Sequence, residues 1–119
     1  MSKQRVIYIA GPMAGLPLHN FMAFLEGIPK AAQDYLGDTG HFPRIVCPAM
    51  VDLDKGFNPF LSIEEQGMDY QEILSEDLRI IRECADRVYF LPGWDESKGA
   101  RREMATAMHS GCEVRFIHD

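Results

Sequence analysis

Several features that would identify a functional class directly are missing from this sequence. Its 119 residues carry 12 Lys and Arg against 18 Asp and Glu, a formal net charge of −6. There is no basic tract, so we expect no nucleic-acid partner, because such binding depends on clustered cations. No apolar run approaches the roughly 20 residues that cross a bilayer, so we expect no membrane partner. The short apolar run near the start favours a first strand over a signal peptide, and therefore a cytoplasmic protein.

Cysteine and histidine are too scattered to indicate a disulfide framework or a metal centre. The three cysteines, Cys47, Cys84 and Cys112, lie far apart, and no two of them form a CxxC pair. Each has apolar neighbours, which predicts buried, reduced thiols in a cytosolic chain. The four histidines show no metal-ligand spacing. We therefore expect neither a metal nor an organic cofactor.

What the sequence does have is a regular alternation of two apolar patterns. Short β-branched runs predict four strands, and longer runs with helical spacing predict three helices. The strands are 5–11, 44–49, 87–93 and 113–117, and the helices are 20–36, 69–84 and 98–110. This alternation is typical of an α/β fold with a parallel sheet and helices on both faces. We predict one domain, 1–119, with a flavodoxin-like or Rossmann-like sheet in the strand order 2-1-3-4.

Two local features of this pattern carry further predictions. Asn20 is placed to cap the first helix and Ser97 to cap the last, and Pro29 is expected to kink or split the first helix. The stretch 50–68 has no clean period and is long for a connection. Its surplus apolar residues are Phe57, Phe60, Leu61 and Ile63. We expect a homodimer or higher oligomer in which this stretch or the helix 69–84 contributes to the contact; the alternative is a monomer in which the stretch covers its own crevice.

The predicted topology selects a ligand-binding crevice before any motif is considered. In open α/β sheets, ligands bind at the carboxyl ends of the strands where the strand order reverses, here between strands 1 and 3. The segments "GPMAGL" and "PGWDESKG" meet there, and the following helix points its free N–H groups and positive dipole end toward an anion. The predicted substrate contacts come from these two segments: Gly11, Pro12, Met13, Gly15, Gly93, Trp94, Ser97 and Gly99.

A carboxylate occupies an unexpected place in the last predicted helix. Counting 100° per residue puts Glu103 on the shoulder of the apolar stripe, half-exposed and one turn inside the helix. The stripe itself is formed by Ala100, Met104, Ala107 and Gly111. The two arginines before Glu103 point away from this stripe. Glu103 could face a ligand in the crevice, stay solvated, or pair with Arg79 or Arg82, and spacing alone leaves these alternatives open.

A second carboxylate, Asp77, interrupts the apolar face of the helix 69–84. That face is formed by Tyr70, Ile73, Leu74, Ile81 and Cys84. A buried aspartate needs either a function or a structural hydrogen bond, for example to loop backbone. Two carboxylates that converge on a crevice suit glycosidic-bond chemistry, in which one attacks the anomeric carbon and the other manages protons. We expect Asp77 to lie within about 10 Å of Glu103, with a raised pKa or a tight hydrogen-bond partner.

Three segments together resemble a known family. "YIAGPMAGL", "EDLRIIRECADRVYFLPGW" and "SKGARREMATAM" are similar, in this order, to segments of the nucleoside 2-deoxyribosyltransferase superfamily, and most of all to its small bacterial and phage branch. The resemblance covers nearly the whole chain. It implies a flavodoxin-like parallel sheet and cleavage of the N-glycosidic bond of a deoxynucleoside or a nucleoside 5′-monophosphate. It also implies work as a dimer or larger assembly.

The resemblance also implies roles for three residues. Glu103 in "GARRE" stands at the position of the nucleophile, and Tyr8 in "IYIAGP" at that of the tyrosine that orients it. Asp77 in "SEDL" stands where the family has an aspartate that contacts the sugar or aids proton transfer. These three are the predicted catalytic residues.

The sequence departs from the family pattern at the positions that select a substrate. Ser97 stands six residues before the nucleophile, where transferases have an aspartate and nucleotide N-glycosidases have a serine that helps to hold the 5′-phosphate. Those hydrolases also have a serine and an arginine in the first loop, where this chain has Pro12 and Ala14. The tail "FIHD" shows no equivalent of the residue that transferases recruit from a neighbouring subunit. Base, sugar and the need for a phosphate therefore stay open.

Together these observations predict cleavage or transfer through a covalent glycosyl-glutamate intermediate, without a metal or organic cofactor. The small-molecule partner is a nucleoside or nucleotide. We expect Glu103→Ala to abolish cleavage and to leave the fold intact, because a half-exposed glutamate contributes little to stability. The alternatives are a non-catalytic nucleotide-binding or sensing module, or an interaction protein that uses the fold as a platform.

Overall fold

The computed structural model describes residues 5–13, 16–48, 56, 58 and 65–118. In this part of the chain the strands are β1 (Val6–Ala10), β2 (Arg44–Val46), β3 (Arg87–Phe90) and β4 (Glu113–Phe116). The helices are α1 (Phe21–Thr39), α2 (Tyr70–Glu83) and α3 (Lys98–His109), with short 3-10 turns at Pro17–Asn20 and Trp94–Glu96. Gly15 and the surplus apolar residues Phe57, Phe60, Leu61 and Ile63 lie outside the described residues, so the interface predicted for the stretch 50–68 stays a prediction.

The four strands form one parallel sheet in the order β2-β1-β3-β4, which confirms the predicted topology. Every residue of β1 is buried, as expected for a central strand covered on both faces. β2 is short and partly exposed because it is the edge strand. The carboxyl ends of β1 and β3 are therefore neighbours at the point where the strand order reverses.

Successive residues of β1 belong to two separate cores, because side chains alternate across a strand. Ile7 and Ile9 pack with Phe21 and Phe24 of α1 on one face of the sheet. We call this the α1 face. Tyr8 and Ala10 belong to the cluster on the opposite face, which also contains Ile81 of α2 and Ala107 of α3. We call this the α2–α3 face. The predicted site residues on α2 and α3 thus share one face with Tyr8.

The first helix differs from its prediction at both ends and in the middle. Pro29 does not split it: α1 runs without interruption and ends at Gly40, whose positive φ of 76° allows its N–H to bond to the Leu36 carbonyl. Pro29 is exposed, so water can satisfy the carbonyl that its missing N–H leaves unpaired. Asn20 occupies the N-cap position, but its side chain makes no capping bond.

One cysteine prediction was wrong. Cys47 and Cys112 are buried and reduced, as predicted, whereas Cys84 is reduced but exposed at the C-cap position where α2 ends. The periodicity that placed Cys84 on the apolar face therefore extends one residue too far. None of the helices in the described part of the chain is long and apolar enough to cross a membrane.

Candidate active site

The N-terminus of α3 is set by Ser97, which confirms the predicted cap. Its extended backbone starts the helix, and its Oγ accepts a hydrogen bond from the Ala100 N–H at 3.2 Å. The hydroxyl proton remains available for donation to a ligand. Gly99, at the second helical position, is buried. Ser97 thus fixes where the helix begins, and from there the periodicity fixes where Glu103 points.

Glu103 lies deeper than its predicted shoulder position. It is 5% exposed, because Ala100, Glu103 and Ala107 form one buried stripe of α3 that faces the sheet. The small alanines on either side let the helix approach the sheet closely. Gly111, assigned to this stripe from the sequence, lies past the end of the helix and is exposed. The premise that Glu103 is half-exposed was therefore wrong.

The carboxylate of Glu103 meets Tyr8 at the centre of the sheet. The Tyr8 hydroxyl donates a hydrogen bond of 2.6 Å to Glu103 Oε2, and the Tyr8 side chain has no exposed surface. A tyrosine on the middle strand is held rigidly by the ladders on both sides. This contact brings together two of the predicted catalytic residues, which are 95 positions apart in the chain.

The alternative partners for Glu103 are not used. Arg79 pairs with Glu83, one turn further along α2, at 3.3 Å, and both of these side chains are exposed. Arg82 is exposed as well. Among the residues that the structure describes, no basic side chain pairs with Glu103. Solvation is excluded by its burial, so the hydrogen bond from Tyr8 is the contact that compensates its carboxylate.

Asp77 is buried on the same face, as predicted. It is 8% exposed, and Leu74 and Ile81 of its helix are buried with it. The side chain of Tyr70, predicted for the same stripe, lies outside the described part. The negative charge of Asp77 acts on Glu103 strongly enough to raise the pKa of Glu103. The two carboxyl groups are therefore electrostatic neighbours between the sheet, α2 and α3.

The pKa of Glu103 is raised to about 8. Burial is the main cause, because it disfavours the charged form, and the charge of Asp77 acts in the same direction. The hydrogen bond from Tyr8 opposes both, since it stabilises the carboxylate. At neutral pH without a ligand, the group is therefore mostly protonated, and it ionises near the physiological range. Such a carboxyl group can act as an acid, a base or, once ionised, a nucleophile.

The loops after β1 and β3 meet, as the topology predicts. A side-chain carbon added to Gly11 would lie 2.8 Å from Leu91 Cδ1, so only glycine fits there. A carbon added to Gly93, whose φ is 85°, would lie 3.6 Å from Pro12 Cγ. Gly11, Pro12 and Gly93 are thus brought together. Met13 is half-buried and packs against the core of the α1 face.

An unusual turn, which the sequence did not reveal, supports the first loop. Leu18, His19 and Asn20 all have left-handed backbones, with φ of 50°, 52° and 62°. Each such non-glycine residue costs about 1–2 kcal/mol, less for asparagine. The Asn20 amide donates to the Pro12 carbonyl at 3.0 Å, which ties the turn to the loop. Strain of this kind clusters at ligand-binding sites. In a sequence, an asparagine only weakly indicates a left-handed backbone, and a leucine does not indicate one.

Trp94 contributes to the loop after β3 rather than to the Tyr8–Glu103 contact. Its ring packs against Phe90 and Phe116, with centroid distances of 5.4 and 5.9 Å. Among the described residues there is no group of three His, Cys, Asp or Glu side chains that could hold a metal ion. The described site therefore consists of a tyrosine, two carboxyl groups, a capped helix end and two glycine-containing loops.

Comparisons with curated proteins and with solved structures found no match to this chain. A family model does match it, and its description is a domain of unknown function, DUF4406. The match covers residues 5–116, which include all four strands, the three helices and each of the residues brought together at the site. The chain therefore belongs to the DUF4406 family.

Proposed function

We propose that this protein cleaves, or transfers across, the N-glycosidic bond of a nucleoside or nucleoside 5′-monophosphate, with Glu103 as the nucleophile. The observation that carries the proposal is the buried carboxyl group of Glu103, oriented by the 2.6 Å bond from Tyr8 beside a second buried carboxyl group, Asp77. Burying two carboxyl groups side by side costs free energy that hydrogen bonds or protonation must offset, so such a pair is a candidate for a functional role. Perturbed carboxyl groups near the end of a parallel sheet are typical of an active site.

The first step forms a glycosyl ester. An oxygen of ionised Glu103 attacks C1′, and the bond from C1′ to the base nitrogen breaks with its electron pair going to the base. The base takes a proton as it leaves. In the second step water, or the nitrogen of a second base, attacks C1′ from the opposite side, loses a proton to solvent and releases Glu103 as a carboxylate. Two inversions leave the sugar configuration unchanged.

Tyr8 and Asp77 have complementary roles in this scheme. Tyr8 holds one oxygen of Glu103 and stabilises its ionised form, so the other oxygen is free to attack. Asp77 serves a sugar hydroxyl group or aids the transfer of a proton from solvent to the leaving base. The raised pKa of Glu103 makes its carboxylate more nucleophilic once formed. The positive charge that develops on the sugar favours that ionised form in the transition state.

The start of α3 is suited to hold the 5′ end of the substrate. Its free N–H groups carry a partial positive charge, and the Ser97 hydroxyl can donate. Lys98 follows directly and is exposed. A 5′-phosphate or a 5′-hydroxyl group could be accepted there. The choice between them depends on the first loop, part of which lies outside the described residues.

The test is release of free base. The purified chain is incubated with a panel of nucleosides and nucleoside 5′-monophosphates, and the products are separated by chromatography. We expect base release by the wild type and none by Glu103→Gln, with Glu26→Gln on the exposed side of α1 as the matched control. Intact-protein mass spectrometry of a quenched reaction should show the glycosyl adduct on the wild type. Equal turnover by wild type and Glu103→Gln would rule out Glu103 as the nucleophile.

A nucleotide-binding module is the second candidate, and the protonation state of Glu103 favours it. A carboxyl group with a pKa of about 8 is mostly a hydrogen-bond donor at neutral pH. Such a group can recognise a base or a sugar without reacting. Binding of a nucleotide with no release of base, at pH values both below and above 8, would support this candidate over the enzyme.

A further inference from the structure

A groove of about 340 Å³ opens at the carboxyl ends of β3 and β4. It is formed by the segments 90–95 and 116–118. Tyr8, Asp77 and Glu103 do not line it, so it lies apart from the carboxyl pair, although it shares the loop of Gly93 and Trp94 with the site described above. Its volume falls within the range of small-molecule sites, roughly 300–1,000 Å³. It also lies at the edge of the sheet where open α/β folds bind ligands.

Aromatic rings form one wall of the groove. Phe90 lies 5.4 Å from Trp94 and 6.3 Å from Phe116, and Trp94 lies 5.9 Å from Phe116, all as ring-centroid distances. Phe90 is fully buried, but Phe116 is 47% exposed. An exposed phenylalanine that continues a buried aromatic cluster offers a ring face to a planar ligand. The wall therefore favours a flat, aromatic occupant.

The polar groups at the groove determine which ligand charge it favours. Asp95 lines it and is exposed, and His118 lines it at the end of β4. No Lys or Arg is among its lining residues. Lys30 does not line the groove, but its Nζ donates to the backbone carbonyl of His118 at 3.3 Å. A carboxylate without a lining cation attracts N–H donors and repels phosphate. The net charge of −6 acts in the same direction.

We propose that this groove binds a planar nitrogen heterocycle that carries an exocyclic amino group and no negative charge. The ring stacks on Phe116 beside Trp94, and the amino group donates to Asp95. A free amino-bearing nucleobase such as adenine or cytosine has this chemistry. The proposal does not depend on glycosidic cleavage, since none of the three predicted catalytic residues takes part.

The single tryptophan of the chain makes the groove directly observable. Because Trp94 lies in its wall, intrinsic fluorescence reports on occupancy without a label. Excitation at the red edge of the indole band avoids absorption by the bases. Adenine and cytosine are titrated into the wild type, with uracil and adenosine 5′-monophosphate for comparison. We expect saturable quenching by adenine and cytosine, and at least about tenfold weaker binding of the monophosphate.

Matched variants separate the groove from other effects. Phe116→Ala and Asp95→Asn should each weaken adenine binding by about tenfold, through lost stacking and a lost charged acceptor. Phe42→Ala removes an 81% exposed phenylalanine outside the groove and should leave binding unchanged. Saturable quenching that is equal in wild type, Phe116→Ala and Asp95→Asn would overturn the proposal, as would no quenching up to roughly 5 mM adenine.

One further variant separates this proposal from the proposed function. Glu103→Gln should bind adenine in the groove as the wild type does, whatever its effect on base release. Base release without groove binding would refute the groove proposal and leave the enzyme intact. Groove binding without base release would support the groove proposal and refute the proposed enzyme activity. Loss of adenine quenching in Glu103→Gln would place the heterocycle at the carboxyl pair and refute a separate groove site.

Discussion

Each face of the sheet buries an ionisable side chain, and the two are treated in opposite ways. On the α1 face, Arg87 at the start of β3 is 6% exposed. It contacts three carboxylates and a tyrosine. On the α2–α3 face, Glu103 is 5% exposed, with a tyrosine and a second carboxyl group as its electrostatic neighbours. Arg87 is thus paired with several carboxylates, whereas Glu103 lies beside another acidic group, Asp77.

The contacts of Arg87 show how the α1 face is held. Its guanidinium lies 2.6 Å from both Asp38 and Glu113, and 3.5 Å from Asp34. It also donates to the Tyr89 hydroxyl at 3.1 Å. Arg115 contacts the same three carboxylates at distances of 3.1 to 3.5 Å. The network joins the end of α1 to the first residues of β3 and β4.

Electrostatics on the α1 face hold Arg87, Asp38 and Tyr89 in their ordinary charge states. Burial works against the charge of Arg87, but hydrogen bonds to Tyr89 and Asp38 outweigh it and raise its pKa further above the ordinary value. The bond from Arg87 lowers the pKa of Asp38. Burial and the bond to Asp34 raise the pKa of Tyr89 to about 12. None of these groups changes charge near neutral pH.

The difference separates a structural use of charge from a chemical one. A buried ion paired with several counter-ions fixes the packing of neighbouring elements. A buried carboxyl group whose pKa is raised to about 8 can gain or lose its proton near physiological pH, as acid–base chemistry requires. By this criterion the α1 face is scaffold, and the α2–α3 face is where we propose that the chemistry takes place.

The largest effect is expected for Glu103→Gln. This change keeps the shape and a hydrogen-bonding partner for Tyr8 but removes the nucleophile, so base release should fall by at least roughly 10³-fold. Glu103→Ala should do the same, but it also removes the hydrogen bond between Tyr8 and Glu103 and leaves a small cavity. We therefore no longer expect the alanine variant to keep wild-type stability. Chromatographic base release and a urea titration measure the two effects separately.

Arg87→Met should have the largest effect on stability alone. It leaves Arg115 as the remaining arginine that contacts the three carboxylates, and removing one partner of a buried pair costs about 3–5 kcal/mol. Because the carboxylates are half-exposed, we expect the lower end of this range. Arg79→Met is the control, since its exposed pair with Glu83 is worth less than about 1 kcal/mol. Equal urea midpoints for the two variants would mean that the Arg87 network contributes no more than a surface pair.

The two faces should respond to pH with opposite signs. The folded pKa of Glu103, about 8, lies above its ordinary 4.5, so the protonated form is bound more tightly in the folded state. Its contribution is fully present below pH 4.5 and is lost as pH rises to 8, by up to about 1.4 kcal/mol per pH unit. Urea midpoints of the wild type should fall across this window. Those of Glu103→Gln should fall less, and parallel curves would contradict the raised pKa.

On the α1 face, folding stability should be lost at acid pH. The pKa of Asp38 is lowered from 3.8, so its contribution is present above that value and disappears as pH falls through the depressed pKa. Asp38→Asn should therefore reduce the stability lost between neutral pH and pH values below 3.8. Glu26→Asn on the exposed side of α1 serves as the comparison. If Asp38→Asn lost as much stability as the wild type on going to acid pH, the role of the Arg87–Asp38 pair would be contradicted.

A smaller effect is expected when the hydrogen bond to Glu103 is removed. In Tyr8→Phe, the bond that lowers the pKa of Glu103 is gone, so that pKa should rise further. The pH at which base release is half-maximal should move upward by about 1 unit, the equivalent of one charge-assisted hydrogen bond. A pH–rate profile measures this shift. A profile that keeps its midpoint while the rate falls uniformly would show that Tyr8 acts through substrate contact instead.

The smallest effect is expected in the left-handed turn, which belongs to neither buried charge. Leu18 has a φ of 50° and is 37% exposed, so Leu18→Gly relieves strain at little loss of burial. We expect a gain of up to about 1 kcal/mol. Asn20→Gly keeps the left-handed backbone but loses the bond to Pro12, so it should gain nothing. If both variants lose stability in urea, the turn is not strained.

Much of the fold followed from the sequence by itself. Local periodicity separated strands from helices, and the right-handed crossover left few arrangements, which is why the order 2-1-3-4 was predicted before the structure. Ser97 and the burial of Asp77 were predicted for the same reason, since a cap and an interrupted apolar stripe are local patterns. The strand ends that form the crevice then followed from the topology.

Tertiary structure alone decided the chemical environment of the two buried charges. A helical wheel gives the direction of Glu103 but not how closely α3 approaches the sheet, and the small Ala100 and Ala107 made that approach close enough to bury it. The pKa of Glu103 depends on Tyr8, 95 residues away, and on the fold that desolvates both. Arg87 is buried because its counter-ions come from α1 and β4, distant in the chain. Direction is a local property, whereas desolvation and pairing depend on which distant elements pack together.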